Sequence, residues 1–387
     1  MADSGITGVL GQAWRANVTG WGAVVPWDGS APLDWHIAAD DRWHSPVTEA
    51  AVRQLRKSGS PVFETRVRVP GGDAVQRVWS VADAGGWTVV EITNDSPLPF
   101  ACAFTREDLW TSRAPADVPV EGIDLPVGSV VLPVGHRTSV TVGLRHTADG
   151  GGLPRSHPSA DAVVRGWLSS TQRASRLVLR DDSLVDAVVA ARCDLLLGAR
   201  PRRDEDPAGF LLSAAELVRL GELDERAAAV LADDVATAAE NIARREGWDA
   251  DAALDGAALV LAAAGEGRAV PDLARITARR RPALLPAAPA DGIRAVAAVE
   301  RRLARGPVLF PEGIPERWRG SDVEAHGLVA GPATRLSFAV RWHGERPAVL
   351  WELDGELVEL SAPAVDRSWR TGEPSGEALW PPRSARS

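Results

Sequence analysis

The hydrophobic positions of this chain change period twice. Up to about residue 145 they follow the two-residue repeat of half-buried strands, with Val67 and Val69 alternating against Arg66 and Arg68. Strands are predicted over Val62–Val69, Val75–Val81, Trp87–Ile92, Phe100–Phe104, Ser129–Leu132 and Ser139–Leu144, with a short helix before them over Val47–Lys57. Pro70-Gly71-Gly72-Asp73 has the composition of a hairpin turn, as has Asp28-Gly29 earlier. Short strands separated by glycine- and proline-rich intervals predict an antiparallel β-sandwich over residues 1–148.

After a Gly-rich linker at 149–157 the period becomes three to four residues. The first predicted helix opens at Pro158-Ser159 and carries apolar positions as far as Val178. The second starts at Asp182 and stops at Gly198. The third has Pro207 in its first turn and Gly221 beyond its last, and the fourth runs from Asp224 towards Gly247. Two shorter ones follow, around Leu254–Ala264 and Pro271–Arg280, and a last one covers Ile293–Leu303. Acidic residues and proline at the start of a helix, and glycine after its end, satisfy or avoid free backbone groups there. Short connections make neighbouring helices antiparallel, so 158–306 reads as an α-hairpin region. From about Val323 the two-residue period returns in Leu336, Phe338, Val340 and Trp342. It predicts a small β-module within 307–380, with a disordered tail at 381–387 and loose, proline-rich sequence from Gly376 onward.

Composition narrows the function classes. A net charge of −9 argues against nucleic acid and against an anionic membrane surface as partners. No apolar run is long enough to span a bilayer, and the first residues lack the basic-then-apolar pattern of a secretory signal. A cytoplasmic protein is the expectation. Lys57 is the only lysine, which removes Walker-type phosphate loops and every lysine-dependent mechanism except at that one position. No nucleotide fingerprint, nucleophile elbow or Cys-x-x-Cys pair occurs, so no cofactor and no metal is expected. The two cysteines, Cys102 and Cys193, lie in apolar sequence and read as buried thiols.

Fifteen tryptophans and no tyrosine make the aromatic usage lopsided, and five of the fifteen fall between Trp14 and Trp43. Here Trp35, His36, Asp40, Asp41 and Trp43 bring indoles, imidazole and carboxylates onto one short segment. They form a candidate sugar-facing loop, since indole faces stack on pyranose rings while acids accept hydroxyl hydrogen bonds. The alternative is that the tryptophans pack the sandwich and the polar groups pair around a turn. A metal held by His36 and His44 has no diagnostic spacing. Two acidic loops between helices are candidates for catalysis: Asp204-Glu205-Asp206, and Trp248-Asp249-Ala250-Asp251, where Asp249 and Asp251 would act on a substrate stacked on Trp248. Acids just before a helix also serve as ordinary N-caps, so that reading stays open for both loops.

The segments AELVRLGELDE and ARREGWDADAALDGAALVLAAAGE resemble repeats of the helical toroid of the six-hairpin glycosidase-like group. IPERWRGSDVEAHGL and RLSFAVRWHGERPAVLWEL resemble its short closing β-module. That resemblance implies a multidomain α and β protein: an N-terminal antiparallel β-sandwich, a partial αα-toroid of antiparallel α-hairpins, and a C-terminal β-module. The group's toroid has twelve helices, whereas about seven are predicted here. The function it implies is glycoside hydrolysis, or binding, of an oligosaccharide. The alternatives are a non-catalytic carbohydrate-binding relative, and an interaction or assembly protein in which two half-toroids associate as a homo-oligomer.

Overall fold

A computed structural model of the chain describes residues 5–40, 42–116, 121–148, 151–154, 156–280, 283–286 and 290–382. The protein mixes α and β structure, with antiparallel sheets first, seven α-helices among the described residues of the middle, and further strands at the end. It divides into two compact units, Met1–Leu168 and Ser169–Ser387.

In the N-terminal unit a six-stranded sheet runs Trp110–Thr111, Ser139–Arg145, Trp87–Asp95, Gly72–Val81, Phe63–Val69, Val52–Arg56 in spatial order. A four-stranded sheet runs Val130–Val134, Phe100–Phe104, Trp35–Ala39, Arg42–His44. Every pairing in both is antiparallel. Inward residues of the two sheets, among them Trp35, Ile37, Phe104 and Leu132 from one and Val67, Val78, Ile92 and Val142 from the other, share one core. Val69 pairs with Gly72 across the predicted hairpin turn, where Gly71 has a φ of 79°, a left-handed conformation that glycine adopts without strain.

The helix predicted over Val47–Lys57 is not formed. Val52–Arg56 is instead an edge strand paired with Phe63–Val69. The neighbouring strand offers an open row of backbone donors and acceptors, and satisfying that row outweighs the small helical preference of five residues.

His146 gives this unit an acid-sensitive point. Its ring stacks on Trp14 with centroids 3.9 Å apart. Nε2 lies 2.9 Å from Thr88 Oγ1 and Nδ1 lies 3.4 Å from Gln12 Oε1, an arrangement that suits the neutral ring. Burial, reinforced by Arg15, lowers its pKa to about 3. Above the ordinary value of about 6.5 both the folded and unfolded states hold a neutral ring. Below it the unfolded chain takes up a proton that the native state refuses, so stability falls by about 1.4 kcal/mol per pH unit down to about pH 3. Unfolding followed at pH 7 and pH 5 should therefore show a loss of about 2 kcal/mol from this group, absent from His146→Gln. Equal pH dependence in the two proteins would refute the assignment.

The second unit contains most of the helices. α1 (Ala160–Thr171) closes the first unit and enters the second, followed by α2 (Asp182–Leu196), α3 (Pro207–Leu220) and α4 (Glu225–Ile242). α5 (Trp248–Ala263), α6 (Ala269–Ala278) and α7 (Ile293–Leu303) complete the set. Local punctuation explains their ends. Asp206 accepts a hydrogen bond from Gly209 N at 3.0 Å at the start of α3, and Asp224 accepts one from Ala227 N at 2.8 Å at the start of α4. Gly221 ends α3 in the left-handed conformation. The first helix stops at Thr171, short of the predicted Val178. Arg176–Val178 leaves the helical path to become the edge strand beside Val323–Gly331. Ser169-Ser170-Thr171 are weak helix formers, and the sheet edge supplies the competing hydrogen bonds.

That sheet has five strands in the order Arg176–Val178, Val323–Gly331, Thr334–His343, Arg346–Gly355, Ser375–Leu379. The loose sequence predicted from Gly376 is corrected by the last strand and by Trp380, which is fully buried. Residues 383–387 of the predicted tail lie outside the described residues. α2 and α7 pack on the sheet through Leu184, Val188, Val296 and Leu303 against Phe338, Val340 and Trp380. α3 to α6 build a separate alanine- and leucine-rich core. Among the described residues the only parallel pairing is Val308 with Ser361, so strands and helices do not alternate as in a parallel α/β fold.

Candidate functional site

Four charged side chains meet inside the C-terminal unit. Arg192 projects from α2, Glu216 and Arg219 from α3, and Glu300 from α7. Arg192 Nε donates to Glu216 Oε1 at 2.6 Å, and its Nη2 donates to Glu300 Oε1 at 2.8 Å and to Ser175 Oγ at 2.7 Å. Arg219 Nη1 bridges Glu216 Oε2 and Glu300 Oε2, each at 2.7 Å. Ser175 Oγ donates to Glu300 Oε1 at 2.6 Å. Two positive and two negative charges balance. Burial opposes the ionisation of Glu300, but the charges of Arg219 and Arg192, with the hydrogen bonds from Arg219 and Ser175, outweigh it and hold the carboxyl below the usual range. Burial likewise opposes the charge of Arg219, and Glu216 and Glu300 more than compensate. Buried ions are tolerated only when paired and hydrogen-bonded in this way.

Three of the four, Glu216, Arg219 and Glu300, line a cavity of about 430 Å³. Aliphatic side chains form its walls: Leu212 from α3, Ala258 and Leu259 from α5, Leu273 from α6, Val296 from α7 and Leu328 from the adjoining strand. Its other charged side chains are Asp251, Asp255, Arg280, Arg301 and Arg305. Asp251 is held by Arg280 Nε at 2.6 Å and also accepts from Ala283 N at 3.3 Å. Asp255 accepts from Arg301 Nη1 at 2.5 Å. All four lining carboxylates are thus ion-paired to arginine. The volume is that of a small-molecule site, and the lining includes no aromatic residue among the described residues.

The residues singled out from sequence are dispersed. Asp249 and Asp251 are not in a loop but in the first turn of α5, where carboxylates favour the positive end of the helix. The helix begins six residues earlier than predicted because its apolar Ala250, Ala252, Ala253 and Leu254 are all buried against neighbouring helices. Asp249 accepts from Ala250 N at 3.0 Å and from Arg294 Nε at 3.2 Å. It does not line the cavity, and neither does the half-buried Trp248. Asp206, from the other acidic loop, caps α3 and takes both Arg294 Nη groups at 2.7 Å. Hydrogen bonding from Arg294 keeps its carboxyl below the usual range.

In the N-terminal unit Trp35 is 1% exposed, and its Nε1 donates to Trp21 O at 2.9 Å. It is a core side chain with no face left for a ligand, which corrects its candidacy as a sugar platform. His36 Nδ1 lies 2.9 Å from Ser45 Oγ, and burial lowers its pKa. Asp40 is exposed at the turn between two strands with a φ of 60°, and Asp41 lies outside the described residues. Trp43 is half-buried, with Nε1 donating to Glu121 O at 2.8 Å. His44 faces Glu49 at 3.1 Å, away from any shared ligand with His36. Among the described residues no group of three or more His, Cys, Asp or Glu could hold a metal ion. Both cysteines are buried free thiols. No helix among the described residues is long and apolar enough to cross a membrane.

Sequence reasoning passed over Arg192, Glu216, Arg219 and Glu300. The available signal was charge at core positions: Glu216 and Arg219 sit three apart inside the apolar run LLSAAELVRL. Compared with known protein families the chain matches none, and no curated protein matches it in sequence.

Proposed function

We propose that the chain is a non-catalytic binding protein whose ligand occupies the cavity of the C-terminal unit. Its scaffold is a contracted counterpart of the glycosidase-like arrangement, with a β-sandwich followed by a partial αα-toroid and a closing β-module. The observation that carries this reading is the pairing of every lining carboxylate with arginine. Glycoside hydrolysis needs one carboxyl group that keeps its proton near neutral pH and a second that is free to attack or to activate water. Glu300 is instead held ionised by two arginines, and Asp251 and Asp255 are each engaged by one. Such pairs favour the fixed charge that builds a site over the exchangeable proton that turns a substrate over.

Reducing-sugar release measured over a panel of oligosaccharides should stay at background. Asp249→Asn and Asp251→Asn should leave that background unchanged, while Asp251→Asn loses about 1–3 kcal/mol of stability because Arg280 is left without its carboxylate. Turnover by the parent that Asp251→Asn abolishes would overturn the reading in favour of a hydrolase.

A second reading, oligosaccharide binding by the N-terminal unit, is supported by Trp27, which is 48% exposed with its Nε1 donating to Asn17 Oδ1 at 3.1 Å. An indole face presented in this way suits a pyranose ring. A glycan-array signal lost in Trp27→Ala would favour it.

A further inference from the structure

Among the described residues the cavity wall contains one arginine that no carboxylate contacts directly. Arg305 lies just beyond α7, half-buried in the wall. Arg219, Arg280 and Arg301, the other lining arginines, each have a carboxylate within 2.7 Å. Among the described residues Arg305 makes no ion pair and no side-chain hydrogen bond. The acidic groups whose field reaches it are Asp255, Asp251 and Glu312, which act from beyond ion-pair distance and leave the guanidinium without a direct partner. Asp255 is taken by Arg301, Asp251 by Arg280, and Glu312 Oε1 accepts from Leu285 N at 2.8 Å. Burial and the neighbouring Arg301 both weigh against the charge of Arg305. A guanidinium stays ionised in such surroundings, so its charge persists at a cost that an arriving anion relieves.

The rest of the lining defines the remainder of the ligand. Leu212, Ala258, Leu259, Leu273, Val296 and Leu328 present aliphatic surface, which suits a flexible hydrocarbon body better than a sugar or a planar ring needing a stacking partner. A single guanidinium with no carboxylate in contact matches one carboxylate of a ligand. A phosphate monoester carries about −1.5 to −2 at neutral pH and would leave excess negative charge near Asp251, Asp255 and Glu312.

Taking the cavity as the ligand site proposed above, we infer that it binds an aliphatic carboxylate, with the hydrocarbon body between α3, α5, α6 and α7 and the carboxylate on Arg305.

Calorimetric titration of the full chain at pH 7 with decanoate and with 1-decanol tests this directly. The two share the same chain and differ in head-group charge. Decanoate should bind about tenfold more tightly than decanol, the scale of one charge-assisted pair in a partly buried site. Arg305→Gln should bring the two ligands to equal affinity, while Arg305→Lys should keep part of the preference. Ala258→Phe, which fills the apolar wall, should weaken both. Equal affinity of decanoate and decanol for the parent, with both weakened by Ala258→Phe, would overturn the carboxylate assignment and leave the cavity as a binding site. A decanoate preference that survives in Arg305→Gln would also overturn it. Binding of neither ligand, or binding indifferent to Ala258→Phe, would overturn the cavity reading together with the inference.

Discussion

Glu300→Gln should lower the stability of the C-terminal unit by about 3–5 kcal/mol, the range for removing one partner from a buried ion pair. The amide nearly preserves shape, so the loss reports charge. Arg192 and Arg219, both buried, would share the single remaining carboxylate of Glu216. For a unit of this size the loss corresponds to a fall in Tm on the order of 10 °C. Arg219→Met combined with Glu300→Leu removes one charge of each sign, and should cost less than the sum of the two single changes. The pH dependence has a definite sign. The native carboxyl of Glu300 lies below its unfolded value of about 4.3, so its contribution is complete above that pH and is lost as pH falls through the native value. The parent should weaken in acid below about pH 4, and Glu300→Gln should show a flatter acid limb. Additive behaviour of the double variant, or an unchanged acid limb, would show that the four groups do not act as a unit.

Trp35→Ala should cost the N-terminal unit about 3–5 kcal/mol, as deletion of a large buried aromatic does. The side chain is packed with Ile37, Phe104 and Leu132, and truncation also strands the carbonyl of Trp21. Hydrogen exchange separates the two units: amides of Trp35–Ala39 and Phe100–Phe104 should lose protection while those of α3 and α5 keep theirs. Trp43→Ala, at a half-buried site with one hydrogen bond to a loop carbonyl, should cost much less. A loss below about 1 kcal/mol for Trp35→Ala would return this residue to the list of ligand-facing candidates.

The comparison between these two sites shows what was legible beforehand. Trp35 stood in the sequence next to His36 and Asp34, and the cluster suggested chemistry. Alternation along Trp35–Ala39 sends Trp35, Ile37 and Ala39 inward and His36 outward, so residues adjacent in sequence part company on opposite faces. Asp251 was singled out and does line the cavity, but as the partner of Arg280, twenty-nine positions along the chain. Its place in a helical turn was missed because the residue at the cap is Gly247, which supplies no side-chain cap, and tertiary burial of the alanines extends the helix backwards.

Sequence alone determined what depends on neighbours a few residues apart. The bounds of α2, α3, α4 and α7 follow from Asp182, Pro207, Asp224, Gly221 and the three-to-four-residue period, and the strands from Phe63 to Val69 and from Thr334 to His343 follow from alternation. Capping and side-chain periodicity are local interactions, so they are written in local sequence. The tertiary structure alone decided that Val52–Arg56 and Arg176–Val178 are strands, since each is held by hydrogen bonds to a partner elsewhere in the chain. It alone brought Arg192, Glu216, Arg219 and Glu300 together, the last of them 108 positions from the first. It alone placed Arg305 in the cavity wall with no carboxylate in direct contact among the described residues. Which charges meet, and which is left over, depends on distances across a folded interior, where low polarity makes each pairing count far more than it would along an open chain.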